Sequence, residues 1–194
     1  MASVSTLQPV VRAAKLAVEE TLYEVVDGQR VELPPMSSYA TWIASRLQTR
    51  LDSFAEPRKL GTVVDEMLFI FDAQRDIRRR PDVAFVSAAR WPLDQLVPKT
   101  GDWEVVPDLA VEVISPNDTM EAVIAKLSEY FRFGLKQVWV VLPTSEQIYV
   151  YDAPNAVRIL TTADQIEGGV LLPGFRLSVA AIFSREGDNG AAAR

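Results

Sequence analysis

The stretch Pro107-Asp108-Leu109-Ala110-Val111-Glu112-Val113-Ile114-Ser115-Pro116 decides how this sequence folds, because it places a carboxylate inside what otherwise reads as a buried strand. Side chains alternate along a strand, so Glu112 faces one layer of the structure while its immediate neighbours face the other. The two predicted faces are Ala110, Glu112 and Ile114 on one side, and Leu109, Val111 and Val113 on the other. Burying a lone ionised carboxylate costs on the order of several kcal/mol, so Glu112 must be paired, protonated or bound to a metal.

The composition limits the chemistry that this chain can perform. It has 194 residues, of which 48% are hydrophobic, enough to bury a single sizeable core. Cysteine and histidine are both absent, which excludes disulfides, thiolate or imidazole metal sites and a histidine general base. Chemistry must therefore rest on carboxylates, lysine, arginine, hydroxyls or a hard metal. The net charge of −6 argues against broad electrostatic adhesion to nucleic acid, although a local basic patch is compatible with it.

The sequence predicts one domain with two short ends. Residues 1–20 form an extension with the weak amphipathic pattern of a short helix, residues 21–183 form the domain, and residues 184–194 form a polar tail rich in glycine and alanine. No apolar run approaches the ~20 residues of a membrane span, and the N-terminus lacks the pattern of a secretion signal. We therefore expect a cytoplasmic protein that does not contact a membrane.

Turn and cap signals divide the domain into elements. Asp27-Gly28 predicts a tight hairpin between strands over residues 21–26 and 29–33. Ser37 or Ser38, after two prolines, predicts the start of a helix that ends near Ala55. The remaining predicted elements are one or two strands over residues 62–72, a polar turn over 73–80, a strand over 81–86, a proline-punctuated connection over 87–106, a helix over 120–131 capped by Ser115-Pro116-Asn117-Asp118 and ended by Gly134, strands over 138–142, 147–151 and 157–161, and a short strand and turn within 170–183.

Two further residues near the central strand carry chemistry. Asp82 begins the apolar strand after Pro81, and Lys126 lies at the border of the apolar stripe of the helix that follows Glu112. Taken singly, Asp82 is typical of a solvated or capping acid, Lys126 of a surface lysine, and Glu112 of a buried pair with an arginine. Taken together, two carboxylates and a lysine can hold Mg²⁺, orient a water and offset charge on a scissile phosphate. We predict that Asp82 and Glu112 converge on one hard-metal site.

The ordered set of segments resembles the Uma2 family of endonucleases, which belongs to the restriction-endonuclease-like, PD-(D/E)XK superfamily. The resemblance covers roughly residues 20–183. The similar segments are Tyr23-Glu24-Val25-Val26-Asp27-Gly28, Arg80-Pro81-Asp82-Val83-Ala84-Phe85-Val86, residues 107–116, Lys126-Leu127-Ser128-Glu129-Tyr130, Gly134, Val138-Trp139-Val140-Val141 and Leu172-Pro173-Gly174-Phe175.

The resemblance implies an α/β fold with a restriction-endonuclease-like, three-layer α/β/α core around a mixed central sheet. It also implies a Mg²⁺-dependent phosphodiesterase site, in which Mn²⁺ can substitute, with Asp82 and Glu112 as the metal ligands. Glu24 matches an early acid that serves as an additional ligand or orients the water. The superfamily lysine usually stands two residues after the second acid, at Ile114 here, but in this family it comes from the following helix, where Lys126 lies. The family's usual histidine at the start of the early helix is missing.

Several expectations about partners remain open at the level of sequence. Arg78, Arg79 and Arg80, together with Arg75, either contact phosphates near the scissile bond or form a solvated charged turn. Trp91 and Trp103 either stack on bases or pin the long connection to the core.

The expected partner is nucleic acid, with DNA preferred over RNA, and we expect a homodimer because apolar strand edges must be covered. Two other functions compete with the nuclease. One is a non-catalytic nucleic-acid or protein interaction module on the same fold. The other is a metal-free carboxylate-pair hydrolase acting on sugars.

Overall fold

The computed structural model describes residues 21–116 and 118–184. This part of the chain is mixed α/β, with runs of strands separated by helices. The elements are β1 (Tyr23–Val26), β2 (Gln29–Glu32), α1 (Ser38–Ala55), β3 (Gly61–Asp65), β4 (Phe69–Asp72), β5 (Ile77–Arg79), β6 (Val83–Ser87), β7 (Leu109–Val113), α2 (Met120–Arg132), β8 (Gln137–Leu142), β9 (Gln147–Ala153), β10 (Ala156–Leu160), β11 (Gln165–Glu167), β12 (Arg176–Ser178) and α3 (Ala180–Phe183).

A six-stranded sheet in the order β10-β9-β8-β7-β6-β3 forms the centre of the fold. The β7–β8 pair is parallel and the other pairs are antiparallel, so the sheet is mixed, as the resemblance implies. Strand β7, which contains Glu112, has a neighbouring strand on both sides and is therefore interior to the sheet. A parallel connection needs a crossover, and α2 supplies it between β7 and β8.

The two faces of the central sheet pack against different layers. Leu109, Val111 and Val113 join the buried cluster that contains α1, while Ala110 joins the cluster that contains Leu127 and Tyr130 of α2. The alternation predicted for β7 is therefore confirmed. A second, four-stranded sheet in the order β2-β1-β5-β4 contributes to the α2 side. The predicted three-layer core with a mixed central sheet is confirmed, and this small sheet adds to its second outer layer.

Local signals fix most of the element boundaries. Asp27 and Gly28 have positive φ angles of 48° and 77°, which the tight turn between β1 and β2 requires. Ser37 caps α1 by accepting a hydrogen bond from Ala40 N at 3.2 Å. Gly134, with φ of 90°, follows the end of α2 as predicted.

Two predictions about local structure are wrong. The polar turn predicted over residues 73–80 contains β5, because Ile77 is fully buried and the strand pairs with both β1 and β4. Thr119, rather than residues 115–118, caps α2 by accepting from Ala122 N at 3.2 Å; Asn117 lies outside the described residues. The short strand predicted within residues 170–183 is present as β12, whereas its partner β11 and the helix α3 had not been predicted.

The long connection over residues 87–106 packs against the core through its tryptophans. Trp103 is fully buried and stacks on Phe69, with ring centroids 5.6 Å apart, while Trp91 meets it edge-on at 5.4 Å. Of the two interpretations of these tryptophans, the one in which they pin the loop to the core agrees with these contacts.

Residues 1–20 and 185–194 lie outside the described residues. The helix predicted within the first range and the tail predicted over the second fall there, and the division into extension, domain and tail stays a prediction. Within residues 21–116 and 118–184, no helix combines the length and apolar character needed to cross a membrane.

Asp108 anchors the N-terminal end of β7 from inside the protein. Its side chain is fully buried, accepts a hydrogen bond from Ser87 N at 2.9 Å, and lies 2.9 Å from Arg90 Nε and 2.8 Å from Lys136 Nζ. Burial opposes ionisation, but the hydrogen bonds from Lys136 and Ser87 and the charge of Arg90 outweigh it and lower the pKa of Asp108. This carboxylate is therefore a paired structural group that joins β6, β7 and the start of β8.

We predict that Asp108→Asn destabilises the protein by about 2–4 kcal/mol near pH 7, since it leaves two cations facing a neutral amide. Because the folded-state pKa lies below the ordinary value of 3.8, this contribution is present above about pH 4 and is lost as pH falls through the folded-state pKa. Urea unfolding of wild type and variant from pH 7 to pH 3 measures the effect. Asp94→Asn, in the exposed loop, is the control. If the difference in free energy of unfolding between wild type and Asp108→Asn stays constant across this pH range, Asp108 is not the paired carboxylate described here.

Candidate active site

The pairing of β6 with β7 brings the two predicted metal ligands together. Val83 lies opposite Val111 in this antiparallel pair, so the next position along places Asp82 opposite Glu112. Directly opposite residues project to the same face of a sheet. Val113 N donates a hydrogen bond to Asp82 Oδ2 at 2.6 Å, which holds the aspartate against β7. Both acids line one cavity of about 330 Å³, which also receives Glu24, Arg79 and Lys126.

Lys126 reaches this cavity from α2 and joins two acids from different sheets. Its Nζ lies 2.9 Å from Glu112 Oε2 on β7 and 3.0 Å from Glu24 Oε1 on β1. Burial disfavours the charged ammonium, but the carboxylates of Glu112 and Glu24 outweigh it and raise the pKa of Lys126 above its usual value. Lys126 is therefore a permanent positive charge in the site and is unsuited to act as a general base.

Tyr130 also lines the cavity, and the sequence alone had assigned it no role. It lies one helical turn after Lys126, and its hydroxyl donates to Glu112 Oε1 at 2.5 Å. The ring is fully buried, with its centroid 5.5 Å from that of Phe71. Burial raises the pKa of the Tyr130 phenol, so the hydroxyl keeps its proton and remains a donor. The four-residue spacing from Lys126 along the apolar stripe was the signal that could have identified it.

Glu24 is held by three donors on the small sheet and α2. Besides Lys126, it accepts from Arg79 Nη1 at 2.8 Å and from Arg80 N at 2.9 Å. Burial opposes its ionisation, but the charges of Lys126 and Arg79 outweigh it and lower the pKa of Glu24. Arg79 also pairs with Glu129 of α2. Glu24 thus lies in the site as predicted, with both oxygens committed to protein donors.

The basic run before Asp82 is bound to protein acceptors. Arg78 pairs with Asp76 at 2.7 Å and with Asp102 at 2.6 Å. Arg80 donates to the carbonyl oxygen of Tyr23 at 3.2 Å and to that of Glu66. These contacts, with those of Arg79, place the run in strand and strand-end positions instead of a freely solvated turn. Phosphate binding by Arg78, Arg79 and Arg80 stays a prediction.

Asp82 is the acid with the least support from protein donors. Its Oδ2 accepts from Val113 N, whereas its Oδ1 has no hydrogen-bond donor among the described residues. Burial, and then the charge of Glu112, raise the pKa of Asp82 to about 7. A carboxyl that is hard to ionise and faces a cavity is typical of a functional group.

The donor set fits a hard divalent cation. Within the described ranges, no three acidic side chains are grouped closely enough to hold a metal by themselves, but Mg²⁺ is commonly held by one or two carboxylates together with water and substrate phosphates. Among the described residues, acids outnumber bases along the cavity by five to three. The acids are Glu24, Glu66, Asp82, Glu112 and Asp118, and the bases are Arg79, Arg80 and Lys126.

The cavity also has an apolar wall, to which the hairpin and the segments next to it contribute. The apolar residues that line it include Leu22, Val31, Leu33, Pro34, Met36 and Val123. Such a wall limits the water around the acids and strengthens electrostatic interactions within the site.

Comparisons with known proteins give a family and a fold. The model of the Uma2 family, described as "Putative restriction endonuclease", matches residues 14–180 of this chain. No curated protein sequence matches the chain. A crystal structure from Anabaena variabilis ATCC 29413, described as a "putative nuclease belonging to DUF820", matches with a TM-score of 0.69 at 17% sequence identity, covering 83% of this chain and 89% of that chain. The structural likeness shows that the two proteins share a fold.

We predict that Asp82→Asn stabilises the metal-free protein above pH 7, because it removes the cost of ionising a buried acid beside Glu112. The folded-state pKa of Asp82, about 7, lies above the ordinary value of 3.8. Between these two pH values Asp82 is therefore protonated in the folded state and ionised in the unfolded state. Wild-type stability therefore falls as pH rises from about 4 to 7, and the advantage of the variant should grow to on the order of 3 kcal/mol by pH 8.

Urea unfolding in EDTA at pH 5 and pH 8 measures this difference. Asp94→Asn, which changes the net charge equally, should show no such dependence. Loss of stability in Asp82→Asn at both pH values would mean that Asp82 is a structural acid like Asp108.

Proposed function

The chain belongs to the Uma2 family, and from that membership and the site geometry we propose that it is a divalent-metal-dependent nuclease that hydrolyses phosphodiester bonds of nucleic acid, with DNA preferred over RNA. One observation carries the proposal: Asp82 and Glu112 lie opposite each other at one cavity, with the Lys126 ammonium against Glu112. This arrangement pairs hard-metal ligands with a fixed positive charge, which is what attack on an anionic phosphodiester requires.

In this proposal Asp82 and Glu112 would hold Mg²⁺, or Mn²⁺ in its place. Held there, the cation would supply Lewis acidity and a water of lowered pKa. Lys126, which stays protonated, offsets the charge that develops on the phosphate oxygens. Glu24 positions Lys126 through the 3.0 Å contact, and Tyr130 fixes the orientation of Glu112. The apolar wall keeps other water away from the reacting group.

The interaction-module alternative explains the fold but gives no reason for Asp82. A binding module has no need of a desolvated acid that lines a cavity and whose pKa is about 7. Replacing such a group would stabilise the protein at no functional cost. The nuclease explains why a destabilising carboxylate stands at this position.

We predict that the wild type cleaves DNA in the presence of Mg²⁺ or Mn²⁺ and that EDTA stops the cleavage. Asp82→Asn and Glu112→Gln should each lower the rate by about 10²-fold or more, and Lys126→Met by a similar factor because it removes the charge that faces the phosphate. Gel assays on single-stranded and duplex DNA and on RNA measure the rates.

The control variant is Asp94→Asn, which should cleave at the wild-type rate, and circular dichroism should verify that every variant is folded. Unchanged cleavage by Lys126→Met would remove this lysine from the mechanism. No cleavage of DNA or RNA by the wild type with either metal would favour the non-catalytic module.

We also infer that the protein forms a homodimer. The support is the edge of the central sheet at β10, which pairs with no further strand among the described residues and where Val157 and Ile159 are 44% and 52% exposed. Natural proteins usually cover or charge such an edge. Light scattering at micromolar concentration should give twice the chain mass, and Ile159→Lys should reduce it to the monomer mass. A monomer in the wild type would contradict the inference.

A further inference from the structure

The oxygens of Glu112 are both occupied in this structure. Tyr130 donates to Oε1 at 2.5 Å and Lys126 donates to Oε2 at 2.9 Å. The oxygens of Glu24 are also occupied, by Lys126, Arg79 and the Arg80 N–H. Of these acids, only Asp82 has a carboxylate oxygen without a donor among the described residues. Among these three acids, Asp82 Oδ1 is therefore the one oxygen that could bind a cation without displacing a donor of the described residues.

A cation that binds Asp82 can gain Glu112 as a second ligand most directly through Oε2, because the proton on Tyr130 holds Oε1. That oxygen is the partner of Lys126. Two cations that approach the same carboxylate oxygen repel each other strongly in a partly desolvated cavity. We propose that Lys126 and the divalent cation compete for Glu112 in the substrate-free protein, and that a phosphate group of the nucleic acid relieves this competition by drawing the ammonium away. This inference rests on the proposed function.

Lys126 has the freedom that this exchange requires. Its side chain is 21% exposed and borders the cavity, and its stem follows the helix surface while the amine turns to the acids. An ammonium has three donors on a flexible stem, so it can exchange a carboxylate for a phosphate oxygen. Tyr130 is rigidly packed and keeps Glu112 in place after the lysine has moved. Coupling of this kind is reciprocal, so the metal and the nucleic acid should each tighten the binding of the other.

The test is the affinity of the full chain for Mn²⁺, measured from the electron paramagnetic resonance of the free ion. Lys126→Met keeps most of the stem and removes the competing charge, so it should bind Mn²⁺ at least about tenfold more tightly than the wild type. Lys136→Met is the matched control. Like Lys126, Lys136 pairs with a buried acid, but its partner Asp108 lies outside the cavity. The Mn²⁺ affinity of Lys136→Met should stay within about twofold of the wild-type affinity.

A second arm adds an oligodeoxynucleotide with phosphorothioate linkages, which carry the phosphate charge and resist hydrolysis. It should tighten Mn²⁺ binding by the wild type severalfold, whereas a methylphosphonate oligonucleotide of the same sequence, which lacks the charge, should not. In Lys126→Met the charged oligonucleotide should give much less of this gain, because the competing ammonium is already gone.

The outcomes separate this inference from the proposed function. Equal or weaker Mn²⁺ binding by Lys126→Met, while Asp82→Asn abolishes binding, overturns the competition and leaves the metal site standing. No Mn²⁺ binding by either wild type or Lys126→Met overturns the metal site itself. If the variant is unfolded without metal, Mn²⁺ should restore its circular dichroism at a concentration that also reports its affinity. Failure to restore it at millimolar Mn²⁺ also counts against the competition.

Discussion

The buried contacts of Lys126 hold the site together and connect its three supporting elements. One ammonium joins Glu24 of the small sheet to Glu112 of the central sheet, and it projects from α2, whose Leu127 and Tyr130 share a buried cluster with residues of both sheets. Without this charge, two acids that are largely removed from water would repel each other, at a cost on the order of several kcal/mol. Lys126 also lines the cavity that contains Asp82. It is therefore the counter-ion of the two acids in the structure and, in the proposed nuclease, the group that meets the substrate phosphate.

Two Pro-Asp dipeptides in this sequence show how the surroundings decide the role of an acid. Asp82 and Asp108 precede neighbouring antiparallel strands and so lie at opposite ends of the β6–β7 pair. Asp108 is surrounded by Arg90, Lys136 and a backbone N–H, and its pKa is lowered. Asp82 has one backbone donor and an acid beside it, and its pKa rises to about 7. We expect the first to stabilise the fold and the second to lower stability above its pKa; the second also lines the cavity, as is typical of a functional group.

The sequence predicted what depends on local patterning. Alternation around Glu112, the apolar stripe before Gly134 and the Asp27-Gly28 turn each specify an element directly, and all three were predicted correctly. The errors arose where distant residues decide the outcome. The run that ends at Arg80 has the sequence pattern of a solvated turn. Arg79 nevertheless pairs with Glu24 and Glu129, which lie 55 and 50 residues away in the sequence. Tyr130 looked like a core aromatic, since only the fold shows that its hydroxyl reaches Glu112.

Crystals soaked in Mn²⁺ would show whether Asp82 and Glu112 share one divalent cation. We predict an anomalous difference peak between the two carboxylates, about 2.1–2.2 Å from an oxygen of each, as hard-metal coordination requires. The Lys126 amine should also move away from Glu112 Oε2 in the soaked crystal. An anomalous peak elsewhere, or none between these acids at saturating Mn²⁺, would mean that the two acids do not share a cation.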